Sequence, residues 1–345
     1  MVDELLTQLL AGDRRALARA ITLVESQAKS DCVVAGQLLT AVMSYCGKSM
    51  RIGISGPPGA GKSSFIEAIG KKLLENSAHK VAVLAIDPSS RISGGSILGD
   101  KTRMEDLSRH DRAFVRPSPG GDASGGVARH TRESIFLAEA AGHDVVIVET
   151  IGVGQSESAV ASMVDFFVLL HQPSSGDDLQ GIKRGNLELA DFVVVSKADG
   201  DLLPAARKAQ SELMHALSYF STQGQPAPEV LACSSLTGDG IDKVVATIES
   251  AFARDTASGR IESRRKKQTL DWFHDEVRER TLDILRHHER TARLISLTEA
   301  DVASGKLAAS TAAARVVAKI AKENFILLLR CTDNMAGVAP RALAG

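Results

Sequence analysis

The chain has 345 residues, is 44% hydrophobic and carries a formal net charge of −1. That is enough apolar content for a large core, in two domains or in one domain with extensions. The charge balance excludes recognition of nucleic acid or an anionic membrane by bulk electrostatics, so partners must be sought through local sites.

In chain order, residues 3 to about 46 read as helical, with Leu17, Ala20, Ile21 and Val24 at helical spacing behind the turn Gly12-Asp13 and a second apolar segment from Val33 to Tyr45. Residues 1–48 are therefore expected to form an N-terminal helical extension. The start, Met1-Val2-Asp3-Glu4, is acidic where a secretory leader would be basic. The longest apolar runs, Phe166 to Leu170 and Phe325 to Leu329, are too short to span a bilayer, and a cytoplasmic protein is expected, or one of an organelle lumen if the start shown is a mature one.

The stretch Arg51 to Ser64 comes next: a short strand (Ile52, Ile54) running into Gly56-Pro57-Pro58-Gly59-Ala60-Gly61-Lys62-Ser63-Ser64. It fills every fixed position of G-x-x-x-x-G-K-[ST]. Glycines let backbone N–H groups turn inward around phosphate oxygens, the lysine supplies positive charge, and the serine hydroxyl can ligate Mg²⁺. Phe65, Ile66, Ile69 and Leu73 mark an amphipathic helix behind the loop, whose positive dipole end faces the same anion.

Residues 49–255 alternate short β-rich runs with helical segments; the runs are Ile52–Ser55, Val81–Ile86, Val145–Val148, Phe166–Leu170, Phe192–Val195 and Val230–Ala232. This predicts an α/β fold, a P-loop NTPase with a mostly parallel sheet covered by helices on both faces. Polar residues gather where the runs end: Asp87, Glu149, His171, Ser196-Lys197-Ala198-Asp199 and Ser234-Ser235 all fall at the carboxyl edge, where open α/β sheets bind ligands. Pro88 to Gly126 in part, and Ser174 to Gly185, are rich in glycine and charge and read as long functional loops.

Residues 256–345 read as a C-terminal helical region whose partner surface is either the nucleotide domain or, as a dimerisation arm, a second copy of the chain. The basic cluster Arg264-Arg265-Lys266-Lys267 reads as a solvated helix start. Leu270, Phe273, Val277 and Ile284 follow at helical spacing, and a further helix is expected over Ser310 to Leu329; both need a partner surface. Cys32, Cys46, Cys233 and Cys331 include no C-x-x-C pair, which argues against a disulfide framework or a zinc site.

At the site, Glu149 can hold Mg²⁺ through a water, Asp87 is a second carboxylate aimed at that ion, and Asp100 is a candidate third. The Gly152 amide can meet a γ-phosphate, and Gln155 lies in the loop that follows. Asp199 can accept from guanine N1–H and the exocyclic amine together, whereas adenine would leave it unpaired. The Lys197 stem would lie along the base, and the amides of Ser234, Ser235 and Leu236 would address O6.

With these residues in view, the runs G-P-P-G-A-G-K-S-S, L-A-I-D-P-S-S, S-I-L-G-D-K-T-R-M, R-P-S-P-G-G, V-E-T-I-G-V-G-Q-S-E and G-D-D-L-Q-G-I-K-R-G closely resemble the MeaB/ArgK type of P-loop GTPases. These are GTPase chaperones of adenosylcobalamin-dependent methylmalonyl-CoA mutase. The resemblance implies GTP/GDP and Mg²⁺ as cofactors and a homodimer held by C-terminal helices. It also implies slow hydrolysis stimulated by the mutase, and use of GTP to gate cobalamin loading or to rescue the mutase. By motif match Asp87 and Asp100 become Mg²⁺ and switch residues, Glu149 the metal-side acid, and Gln180 and Lys183 members of a loop that assists hydrolysis when the mutase docks. The guanine motif of the family usually begins with Asn; Ser196 stands there instead, with less reach toward the base. A metal-inserting GTPase and a transport-coupled ATPase or kinase of the same P-loop class are the alternatives.

Overall fold

Alternate residues of a strand point to opposite faces of a sheet, and in this chain both sets are apolar, which is the pattern of strands buried on both sides. The computed structural model describes residues 2–26, 28–76, 78–88, 104–120, 126–150, 156–173, 184–218, 227–287 and 289–321. Seven strands form one sheet: β1 (Met50–Ser55), β2 (Val81–Pro88), β3 (Ala113–Gly120), β4 (Val145–Glu149), β5 (Phe166–His171), β6 (Phe192–Val195) and β7 (Glu229–Ala232). Their order is β3-β2-β4-β1-β5-β6-β7, and every neighbouring pair is parallel. β1 thus sits centrally, and the ends of β4 and β5 frame the loop that follows it.

Six of these strands match the apolar runs of the sequence; β3 was hidden by Pro117 and Pro119 inside a loop-like stretch. The physical reason is its place at the edge. Val81 N donates to Arg112 O, so even-numbered residues of this strand face β2 and odd-numbered ones face outward. Both prolines therefore lack their N–H on the side where no ladder needs it.

Helices cover both faces. Phe65, Ile66, Ile69 and Leu73 of α4 (Lys62–Glu75) share one cluster with Ile52, Ile54, Val83, Ile147 and Val168. The opposite strand residues, Ala82, Leu84, Val146, Val148 and Phe167, meet Leu17 and Ile21 of α2 (Arg14–Glu25), Leu38 and Val42 of α3 (Lys29–Val42), and Ile135 and Leu137 of α6 (Gly126–Ala140). The N-terminal helices, α1 (Val2–Leu10) included, are thus part of the main core. Asp13 starts α2 by accepting from Ala16 N at 2.7 Å, an N-cap bond that satisfies one of the helix's free amides. A third cluster joins Leu169, Val193 and Val195 to Ala206, Leu213 and Leu217 of α9 (Leu203–Ser218). Short helices α5 (Glu105–Arg109), α7 (Ser156–Ala161) and α8 (Arg184–Leu189) lie in the connections, and α10 (Ile241–Ala257) follows β7.

The chain divides into two compact units, Met1–Gln268 and Thr269–Gly345, with the division inside α11 (Arg260–His287). The first turns of α11 correct the reading of its basic cluster as a solvated start for Arg264 and Arg265, while Lys266 and Lys267 are exposed. Arg265 donates to both Asp165 oxygens at 2.7 and 2.6 Å and to Gly47 O, and Arg264 Nη2 lies 3.0 Å from Asp191 Oδ1. The Asp165 side chain is 0% exposed. Nearby, Arg51 and Glu139 form a second buried ion pair at 2.8 Å. These anchors lie at the amino edge of the sheet, opposite the P-loop. The second unit contains the rest of α11, α12 (Glu289–Ala303) and a helical run over 309–321, with Leu270, Phe273, Val277 and Leu297 exposed.

Candidate nucleotide site

The loop between β1 and α4 is shaped by its glycines. A Cβ at Gly56 would stand 2.8 Å from Leu170 O, so only glycine lets β1 leave the sheet this close to β5. Gly59 and Gly61 hold positive φ angles of 81° and 86°, which turn the backbone around a concave arc ending at the first turn of α4. Pro57, Pro58 and Gly59 form its exposed rim, Ala60 is buried beneath, and Ser64 is exposed in the first turn of α4. Lys62 Nζ donates to Gly56 O at 2.9 Å and Pro57 O at 3.3 Å, which brings the ammonium inside the arc. The result is a concave positive site at a helix N-terminus, suited to phosphate.

Two strand ends close on this loop. Ser63 Oγ, at the start of α4, donates to Glu149 Oε1 at the end of β4 over 3.2 Å, both residues buried. A hydroxyl and a carboxylate so placed are hard oxygen donors, and the pair fits Mg²⁺. Thr150, just after β4, ties that strand end to β1: its N donates to Ile54 O and its Oγ1 to Ser55 Oγ, both over 2.9 Å. Asp87, the last residue but one of β2, is in register with Pro119 of β3 and two residues beyond Ala85, the partner of Glu149. Asp100, Gly152, Gln155, Gln180 and Lys183 lie outside the described residues.

The turn after β6 faces the loop from the other side. Lys197 has φ 56°, the one positive value on a non-glycine among the described residues. Its Cε lies 4.0 Å from where a Cβ on Gly61 would be, so the side chain runs across the P-loop. Asp199 accepts from the Ser234 hydroxyl. The expectation for the amides after β7 is corrected in part. Ser234 N donates to Asp239 O at 2.9 Å, and Leu236 N is directed to Ser234 Oγ at 3.2 Å. Of the three, the Ser235 amide is left as the candidate for guanine O6, because Ser234 acts as the hub of its own turn. Ser196 has a role its sequence reading missed. It is 2% exposed, and its hydroxyl bonds to Ala60 O rather than facing outward. The only sequence signal was its position at the buried end of an apolar run.

The sequence matches the family described as methylmalonyl Co-A mutase-associated GTPase MeaB over residues 17–290. The chain belongs to the MeaB family. Among similar chains, a putative GTPase of Caulobacter vibrioides is 50% identical over 319 residues, covering 92% of this chain and 97% of that one. The mitochondrial methylmalonic aciduria type A homolog of Mus musculus is 46% identical over 323 residues, covering 90% and 78%. A crystal structure titled LAO/AO transport system kinase is 38% identical, with a TM-score of 0.73 and coverage of 92% and 97%. The chain is therefore a P-loop GTPase with the α/β fold of that similar structure.

Proposed function

We propose that the chain hydrolyses GTP as a chaperone that gates adenosylcobalamin loading or protection of a cobalamin-dependent acyl-CoA mutase of the methylmalonyl-CoA mutase type. The observation that carries this is the meeting of the P-loop, Glu149 and the Asp199 turn at one sheet edge, in a chain whose family is described by association with that mutase. Support for guanine comes from Asp199, whose carboxylate matches the two donors on one edge of that base.

In this mechanism Lys62 and the amides of the loop bind the phosphates of GTP and hold the γ-phosphate for attack by water. Positioning and charge stabilisation supply most of the acceleration. Ser63 and Glu149, with Asp87 and Asp100, would hold Mg²⁺, which when bound neutralises charge on the β- and γ-phosphate oxygens. The Gly152 amide would meet the γ-phosphate. Gln180 and Lys183 are assigned to the loop that assists hydrolysis once the mutase docks. Lys197 lies along the base. The exposed apolar residues of α11 and α12 suit a homodimer arm, with 1–48, 49–255 and 256–345 as the working divisions. No helix among the described residues is long and apolar enough to cross a membrane, and a cytoplasmic location is part of the proposal.

The reading is tested by mixing the chain with a methylmalonyl-CoA mutase in GDP or a non-hydrolysable GTP analogue and measuring complex formation. Complex whose stability depends on the nucleotide supports it; no complex in either state contradicts it. An ATP preference in competition would instead favour the kinase or ATPase alternative, and tight stoichiometric transition-metal binding the metal-inserting one.

A further inference from the structure

Ser196 is the residue at which this chain departs from the guanine motif, and its surroundings give it a different task. Its hydroxyl carries one proton and two lone pairs. The proton faces two backbone acceptors, Ala60 O at 2.8 Å and His171 O at 3.2 Å. Ala60 is the buried residue of the P-loop, 0% exposed, and Ser196 itself is 2% exposed. A side chain with so little accessible surface, whose only donor is already engaged, has no donor to offer the N7 or O6 of a base. The backbone on either side is equally fixed: Ser196 N donates to His171 O at 2.8 Å and Ala198 N to Cys233 O at 3.0 Å. Between these two anchors Lys197 is held at φ 56°, a conformation that non-glycine residues keep only where their surroundings impose it.

We infer that Ser196 is a positioning residue that braces the P-loop against the base-recognition turn, and that it reads no atom of the base. The inference rests on the guanine-nucleotide reading of the site. Guanine presents N7 and O6 acceptors on one edge and the donors matched by Asp199 on another. With Ser196 engaged below the loop, its hydroxyl contributes nothing at N7. Its contribution is to the spacing between the phosphate-binding arc and the turn that carries Lys197 and Asp199, so it acts on ground state and transition state alike.

The test measures affinity for GDP, 7-deaza-GDP and ADP, together with GTP turnover, in the unaltered chain and in S196A, S196T and S196C. Loss of one buried hydrogen bond should weaken GDP and GTP binding by about 3- to 10-fold in S196A. KM should rise while kcat stays within about 2-fold, the signature of lost uniform binding. S196T, which keeps the hydroxyl, should restore affinity. S196C keeps the volume with a weak donor, and it replaces S196A if that variant melts below the assay temperature. The ratio of 7-deaza-GDP to GDP affinity should be the same with and without the hydroxyl. Discrimination against 7-deaza-GDP that disappears in S196A would overturn the inference, as would unchanged GDP affinity in that variant. Equal binding of ADP and GDP by the unaltered chain would instead overturn the guanine reading and leave the brace to be judged on the affinity loss alone.

Discussion

Lys62 turns its ammonium back onto the carbonyls of Gly56 and Pro57, so its charge sits where phosphate oxygens would compete for it. Replacing it by Ala should lower GTP turnover by at least about 10²-fold, with little change in melting temperature, as expected when a charge-stabilising group is lost. Asp199 sets the base. Asp199→Asn exchanges an acceptor for an amide donor, so GDP affinity should fall by about tenfold or more while xanthosine diphosphate, whose C2 carbonyl accepts, should gain. Competition binding reads both, and an unchanged preference would remove Asp199 from the base site. These residues were legible because a phosphate loop has fixed spacing and because strand ends collect at one edge. The amides of Ser234 and Leu236 were not legible, since the first is directed to Asp239 O and the second to the Ser234 hydroxyl, contacts that exist only once the turn has formed.

Elements are held by contacts that composition does not announce. The cluster at Arg264 and Arg265 has the look of a solvated helix start, yet Asp165 and Asp191, far away in sequence, draw both side chains to the amino edge of the sheet. Burial, the largest single influence, would lower the Arg265 pKa, but the hydrogen bonds and charge of Asp165, with the charge of Glu139, together outweigh it and raise it. Arg265→Met leaves the Asp165 carboxylate buried without its ion-pair partner and should cost about 3–5 kcal/mol in denaturant unfolding. R265M combined with D165N should cost less than the sum of the two changes, and strict additivity would show that the pair is not coupled. β3 teaches a similar lesson. Two prolines argue against a strand in any interior position, and only the sheet order reveals that theirs is an edge.

Across the whole molecule, the alternation of apolar runs and helices predicts the parallel sheet, but not the strand order that brings β1 between β4 and β5, because order depends on pairing between distant segments. The same assembly buries ionisable groups whose titration governs stability. Burial alone would raise the Glu139 carboxyl, but Arg51, with the Ser49 hydroxyl and Gly47 amide, outweighs it and holds the pKa below its ordinary 4.5. Burial lowers that of His143 from 6.5 to about 4. In both cases the unfolded chain binds more protons as pH falls, so stability present above the ordinary pKa is lost below it. The unfolding midpoint should decline from pH 6.5 to about 4 through His143, with Glu139 adding a further loss below pH 4.5. His143→Gln should flatten the first part of that decline, and an unaltered profile would show that another group governs it. The central claim concerns what the GTP cycle serves. It is tested most directly by steady-state GTP turnover of the chain alone and with a methylmalonyl-CoA mutase. The account predicts a rise on adding the mutase that Lys183→Ala mainly removes and Lys62→Ala abolishes; turnover unchanged by the mutase would contradict it.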